Sequence, residues 1–185
     1  MAALVLGALT QVGDKTPWLA AILADRYRAP GTIILASALA LGLNNAVGTA
    51  AALLLVPLLT PEAKLLLLAL ALILAGATGY WRAKSPDRLA GWRLGAFGTA
   101  TLGLAILAFG DRMQFVTAAL AARTPLPWLA PLGATLGALA VCVPAAILGE
   151  RRWLALPLRQ LRLGSGALLL LAGLLVGLSG LRLLG

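Results

Sequence analysis

Six predominantly apolar runs, near residues 2–24, 31–59, 65–81, 94–122, 126–148 and 164–184, take up most of a chain of 185 residues. A helix of about 20 mostly apolar residues crosses the hydrocarbon core of a bilayer, and inside that core only a helix or a closed barrel satisfies every backbone N–H and C=O. The pattern predicts an all-α integral membrane protein with six transmembrane helices. The runs are separated by chemically reasonable breaks: Asp25 to Pro30, Thr60 to Lys64, Arg82 to Arg93, Thr124-Pro125, and Glu150 to Trp153. Runs two and four exceed the minimum span, which predicts tilt or an internal break. The longest polar stretches, Arg82 to Arg93 and Gly149 to Leu163, are too short to bury a core of their own. One transmembrane domain over residues 1–185 is therefore expected.

The formal charge of +9 comes from fifteen Lys and Arg against six Asp and Glu, and most of the basic residues fall in the expected loops. Alternate loops lie on opposite sides of a membrane. Arg26, Arg28, Arg82, Lys84, Arg88, Arg93, Arg151, Arg152, Arg159 and Arg162 share one side, and Lys64, Arg123 and Arg182 the other. The excess places the first group in the cytoplasm and both termini outside it. The charge is thus explained by topology and headgroup contact, and no nucleic-acid partner is expected. Trp81, Trp92 and Trp153 near these loops fit an interfacial aromatic belt. Met1 to Leu9 lack the basic start of a secretory signal, so the N-terminus is expected to be retained. The composition, rich in Ala, Leu and Arg, suggests a bacterial inner membrane.

Several chemistries are excluded outright. There is no His, and the lone Cys142 lies in an apolar run, so Ser-His and Cys-His catalysis, imidazole metal sites and disulfides within the chain drop out. Asp14 and Asp111 have no nucleophile or cofactor motif beside them. No enzyme and no cofactor are expected.

The ionisable residues inside the apolar runs carry the functional signal. Run one holds Gln11-Val12-Gly13-Asp14-Lys15-Thr16-Pro17, and run four holds Ala108-Phe109-Gly110-Asp111-Arg112-Met113-Gln114; both contain Gly-Asp followed by a cation. Weaker echoes link Gly76 to Gly79 with Gly177 to Gly180, and Leu41-Gly42 with Leu136-Gly137. With three helices per half, the second copy enters from the opposite side. Two inverted repeats are expected, residues 1–82 and 94–185 joined by a cytoplasmic linker at 83–93, with a site at their interface near the bilayer midplane. An ionisable group at that depth costs about 2.5–3.5 kcal/mol even on lenient scales, so it needs a partner or a wet cavity. Pro17 has no N–H to offer the Gly13 carbonyl, which leaves a hard oxygen ligand beside Asp14. Asn44 and Asn45 either add amide oxygens to the same cavity or act as interhelical hydrogen-bond glue. The small-xxx-small patterns Gly133 to Gly137 and Gly173 to Gly177 are expected to mark helix contacts within the bundle, with a homo-oligomer contact as the other reading. Pro144, like Pro17, is a potential kink.

At these two heptads the sequence resembles the Gdt family of membrane cation/proton exchangers, the family of transmembrane protein 165, whose signature is Glu-x-Gly-Asp-(Lys/Arg)-(Ser/Thr)-Gln in each of two inverted halves. Gly13-Asp14-Lys15 and Gly110-Asp111-Arg112 keep the core; Thr16 matches in the first copy only, and Gln114 in the second only. Both signature glutamates are replaced, by Gln11 and Ala108. The resemblance implies a secondary transporter exchanging manganese or calcium for protons, its partners being the bilayer and a small inorganic cation. It implies that Asp14 and Asp111 bind the metal or the counter-proton, with Gln11, Gly13, Thr16, Gln114, Asn44 and Asn45 supplying neutral oxygens. Lys15 and Arg112 are then intramembrane charge partners turned towards interfaces. With the glutamates gone, two carboxylates face two cations. The alternative is a non-transporting scaffold or partner subunit in which Asp14 pairs with Arg112 and Asp111 with Lys15, locking the halves together.

Overall fold

The computed structural model describes residues 1–81 and 84–181. Arg82 and Arg182, two of the charges used to orient the chain, lie outside the described residues. Helices make up most of the described residues, which contain no strand: α1 (Ala2–Gln11), α2 (Lys15–Tyr27), α3 (Pro30–Leu55) with a closing 3-10 turn (Val56–Leu58), α4 (Pro61–Thr78), α5 (Gly95–Ala108), α6 (Arg112–Ala121), α7 (Leu129–Ala155) and α8 (Leu158–Gly180). Among these, α3 with its 3-10 turn, α4, α7 and α8 are each long and apolar enough to cross a membrane. The pair α5 and α6, bent by 72° at its break, makes a fifth span if taken together.

Several boundaries correct the sequence reading. Run one is two helices, interrupted at Val12 to Asp14, and run four is likewise interrupted at Phe109 to Asp111. The polar stretch Gly149 to Leu163 is largely helical: α7 continues to Ala155 and α8 starts at Leu158, so the expected loop shrinks to Leu156-Pro157. Arg and Leu are good helix formers, and the helix stops at Pro157, which lacks an N–H and whose ring pushes Leu156 into the extended region at ψ 153°. Pro17 falls in the first turn of α2, where proline costs no intrahelical hydrogen bond, and so it kinks nothing. The irregularity in α7 is at Gly149, not Pro144: its φ of 74° and ψ of 170° lie in a region essentially closed to side-chain-bearing residues. The space a Cβ would take there is filled by the Asp25 carboxylate, whose Oδ2 accepts the Glu150 N–H at 2.7 Å.

Packing is set by small residues. α1 and α2 lie on α7, α5 and α6 lie on α3, α3 also meets α7, and α4 packs on α8. The Leu19, Leu23, Ile33 and Leu104 cluster joins α2, α3 and α5, and the Leu68, Leu72, Val116 and Leu169 cluster joins α4, α6 and α8. Both expected glycine patterns resolve as contacts within the bundle. Gly133 and Gly137 face α1, and Gly173 and Gly177 face α4. Trp153, assigned to the interfacial belt, is instead buried with Ala21 and Ala145, because the continued helix carries it onto α2.

At Gly137 the two backbones touch: an added Cβ would run into Leu4 O and stand 2.8 Å from Ala8 N. Neither obstacle is a side chain that can turn away. Gly137→Leu is therefore expected to lift α1 off α7 at a cost of about 3 kcal/mol, seen as a lowered melting temperature and loss of a monodisperse peak in detergent. Gly42→Leu, where the nearest atom is Thr135 Cγ2 at 3.9 Å, is the control that stays near wild type.

The segment between α4 and α5 is strapped to one end of the bundle. The Arg26 guanidinium donates to the carbonyls of Arg88, Leu89, Ala90 and Trp92 at 2.7–3.4 Å. Arg88 in turn pairs with Glu150 at 2.6 Å. This links α2, α7 and the segment between α4 and α5.

Candidate functional site

Gly-Asp in the middle of an apolar run has a definite backbone consequence. Gly13 and Gly110 take φ of 68° and 71°, which an L side chain resists. The aspartate that follows is extended and starts a new helix, Asp14 at φ −86°, ψ 170° before α2 and Asp111 at φ −75°, ψ 168° before α6. Each run therefore breaks, and the N-terminus of a half-helix, with its unpaired N–H groups and positive dipole end, is exposed at the break.

The two breaks meet. Gly13, Asp14, Lys15 and Thr16 from one and Asp111 and Arg112 from the other line a single cavity of about 300 Å³, with Thr78, Trp81, Leu107 and Arg162 completing the wall. The aspartates are held differently. Asp111 Oδ1 accepts the Gln114 N–H at 2.9 Å as an N-cap, and its buried Oδ2 has no hydrogen-bond partner among the described residues. Asp14 makes no such cap. Its Oδ1 stands 3.8 Å from Arg112 Nη2, the side chains being 22% and 12% exposed. Arg112 Nη1 points the other way, to Thr78 Oγ1 at 3.3 Å and the Ala75 carbonyl at 3.5 Å.

The remaining expected site residues lie around the cavity rather than on it. Gln11 is fully buried, its Nε2 donating to Met113 Sδ at 3.1 Å and its Oε1 unmatched among the described residues. Gln114 accepts the Gly110 N–H at 2.7 Å and donates to the Asn44 carbonyl at 2.7 Å. Asn44 donates to the Ala105 carbonyl and Asn45 to Thr135 Oγ1, which are interhelical bonds between α3 and α5 and between α3 and α7. Lys15, by contrast, is on the cavity wall and exposed, and the ion pairs among the described residues do not include one between Lys15 and Asp111.

Arg162 and Thr78 were not anticipated at the site. The sequence places Arg162 among the loop charges, but the early start of α8 turns it onto the break at Gly13, where an added Cβ would stand 2.9 Å from Arg162 Cβ. A basic residue four positions into a helix whose first residue follows Leu156-Pro157 was the available signal. The cavity wall thus carries Asp14 and Asp111 against Lys15, Arg112 and Arg162. Among the described residues no three acidic, Cys or His side chains converge. A hard cation here would rest on two carboxylates completed by hydroxyl or carbonyl oxygens and water, a donor set suited to manganese, magnesium or calcium.

Comparison with known proteins supports the same reading. A "Putative manganese exporter" of Vibrio cholerae is 33% identical over 174 residues, covering 90% of this chain and 84% of its own length. No solved structure matches the chain. The family described as "Divalent cation/proton antiporter GDT1" matches residues 1–87 and 96–183, nearly the whole chain in two blocks. The chain is a multi-pass membrane protein and belongs to the GDT1 family of divalent cation/proton antiporters.

Proposed function

We propose that this chain exchanges a divalent cation, manganese first, for protons across a bacterial inner membrane. The observation that carries the reading is the meeting of two equivalent Gly-Asp breaks in one cavity, with a buried carboxylate oxygen of Asp111 left unmatched. A broken helix in each half, converging on one cavity, is the plan of secondary transporters that rock one half against the other. The name carried by the Vibrio relative favours manganese over calcium.

Inverted three-helix halves fit the packing. The offset that carries Gly13 to Gly110 and Asp14 to Asp111 also carries Gly76 to Gly173, Ile73 to Leu170 and Ala69 to Gly166. Gly76 packs against Leu170 and the Gly166 carbonyl, and Gly173 packs against Ile73 and the Ala69 carbonyl. These are the same contacts with the halves exchanged, as a two-fold relation between α4 and α8 requires. With α1 and α2 as one broken span, the chain crosses six times. The basic excess puts both termini outside the cytoplasm.

The competing reading, a scaffold whose intramembrane charges only hold the halves together, draws on the contact between Asp14 and Arg112. Flux decides between them. Purified protein in proteoliposomes is expected to take up Mn²⁺ in proportion to an imposed pH gradient, with uptake stopping when a protonophore dissipates it. Uptake equal to that of protein-free liposomes at every gradient overturns the transport reading.

A further inference from the structure

The two aspartates occupy equivalent positions yet have different partners, and the residue three positions on, where Asp111 finds its cap bond, differs between them. An N-cap carboxylate is normally held by the N–H of the second or third helical residue. For Asp111 that third residue is Gln114, and the bond forms at 2.9 Å. For Asp14 it is Pro17, which has no N–H. Asp14 accordingly caps nothing, and its Oδ1 faces Arg112 from the opposite half.

Arg112 is placed between two sets of acceptors. One terminal nitrogen faces Asp14 at 3.8 Å, beyond ordinary hydrogen-bond length, while the other already reaches Thr78 Oγ1 and the Ala75 carbonyl on α4. A long contact on one side and formed contacts on the other let the guanidinium give up Asp14 without being stranded. A divalent ion entering the cavity competes for that carboxylate, since Asp14 and Arg112 both line the wall.

We propose that Arg112 is the resident counter-ion of Asp14 in the empty cavity, displaced fully onto Thr78 and the Ala75 carbonyl when a cation arrives, and that Pro17 keeps Asp14 available for this exchange. The proposal rests on the transport reading above and deepens it. Asp111 is then the fixed, pre-oriented ligand and Asp14 the one whose partner changes. Arg112 neutralises Asp14 whenever the metal is absent, so that the return leg, which carries protons in exchange, has no bare carboxylate at this position.

Three variants test it by Mn²⁺ titration of the purified protein and by flux in proteoliposomes. Arg112→Gln removes the competitor and is expected to tighten Mn²⁺ binding and lower KM about 10-fold while slowing turnover, a split that a merely structural residue does not produce. Pro17→Ala restores the N–H, draws Asp14 back onto α2, and is expected to weaken Mn²⁺ binding about 10-fold. Thr78→Val removes the alternative acceptor and raises KM. Unchanged Mn²⁺ affinity in both Arg112→Gln and Pro17→Ala overturns the proposal even where the wild type transports. If no form binds or moves Mn²⁺, the transport reading fails by itself, and a thermal double-mutant cycle then judges the local claim. Asp14→Asn and Arg112→Gln should be coupled in the wild-type background and uncoupled in Pro17→Ala; equal coupling in both backgrounds overturns it.

Discussion

Asp14→Asn is expected to abolish cation exchange in a chain that still folds. Asparagine starts a helix as well as aspartate does, so α2 keeps its place. What disappears is the charge opposite Arg112, whose side chain is only 12% exposed. Because the pair is 3.8 Å apart and Arg112 keeps Thr78 and the Ala75 carbonyl as acceptors, losing Asp14 costs about 1 kcal/mol, below the range for a tight buried pair, and the melting temperature in detergent should fall slightly. Flux should fall at least 100-fold, since the cavity keeps one carboxylate, Asp111, against three basic side chains. The Asp14→Asn, Arg112→Gln double variant removes both charges and should regain the melting temperature without regaining flux. A scaffold gives the same thermal pattern but no flux in the wild type. A transporter that does not use Asp14 keeps its flux in the double variant. Melting curves and Mn²⁺ uptake on these chains separate all three cases.

The parts of this molecule that were legible in the sequence are those that composition alone controls. α3, α4, α7 and α8 lie under four of the apolar runs, and the excess length of run four does mark a break. What stayed hidden is direction. These helices are apolar on nearly every face, so the 3.6-residue periodicity that tells a soluble helix which side to bury is absent. Nothing in the string distinguishes the buried Trp153 from the exposed Trp81, or shows that Arg162 turns inward while Arg151 and Arg152 are exposed. The Gly-Asp pairs were visible as motifs, but their main effect is on the backbone. Each forces a positive φ and then a helix start, and that geometry, more than the side-chain inventory, brings Asp14 and Asp111 together. The asymmetry between the two Gly-Asp breaks was also written in plain view, as Pro17 against Gln114, yet it becomes meaningful only once both aspartates are known to sit at helix N-cap positions.

The same asymmetry governs what happens if the signature glutamates are put back. Ala108 is 1% exposed and sits with Leu41, Met113, Ala134, Ala138 and Cys142, a pocket without a hydrogen-bond donor among these side chains suited to a carboxylate. Ala108→Glu alone is expected to cost several kcal/mol through burial of an unmatched carboxylate, lowering the melting temperature by about 10 °C. Gln11→Glu should be milder. Position 11 already holds a polar group of nearly the same shape, although the new carboxylate must give up the Gln11 Nε2 bond to Met113 Sδ. Met113 stands at the position equivalent to Thr16, and its side chain fills the space between Gln11 and Ala108. Met113→Thr in the Ala108→Glu background restores a hydroxyl donor and removes volume, and is expected to recover most of the lost stability. With Gln11→Glu added, the two new glutamates together bring two more negative charges to a region dominated by Lys15, Arg112 and Arg162, and Mn²⁺ affinity should rise about 10-fold or more, the effect of roughly 1.4 kcal/mol. Full stability of Ala108→Glu by itself would mean that water already reaches Ala108, extending the cavity past Met113 towards α7.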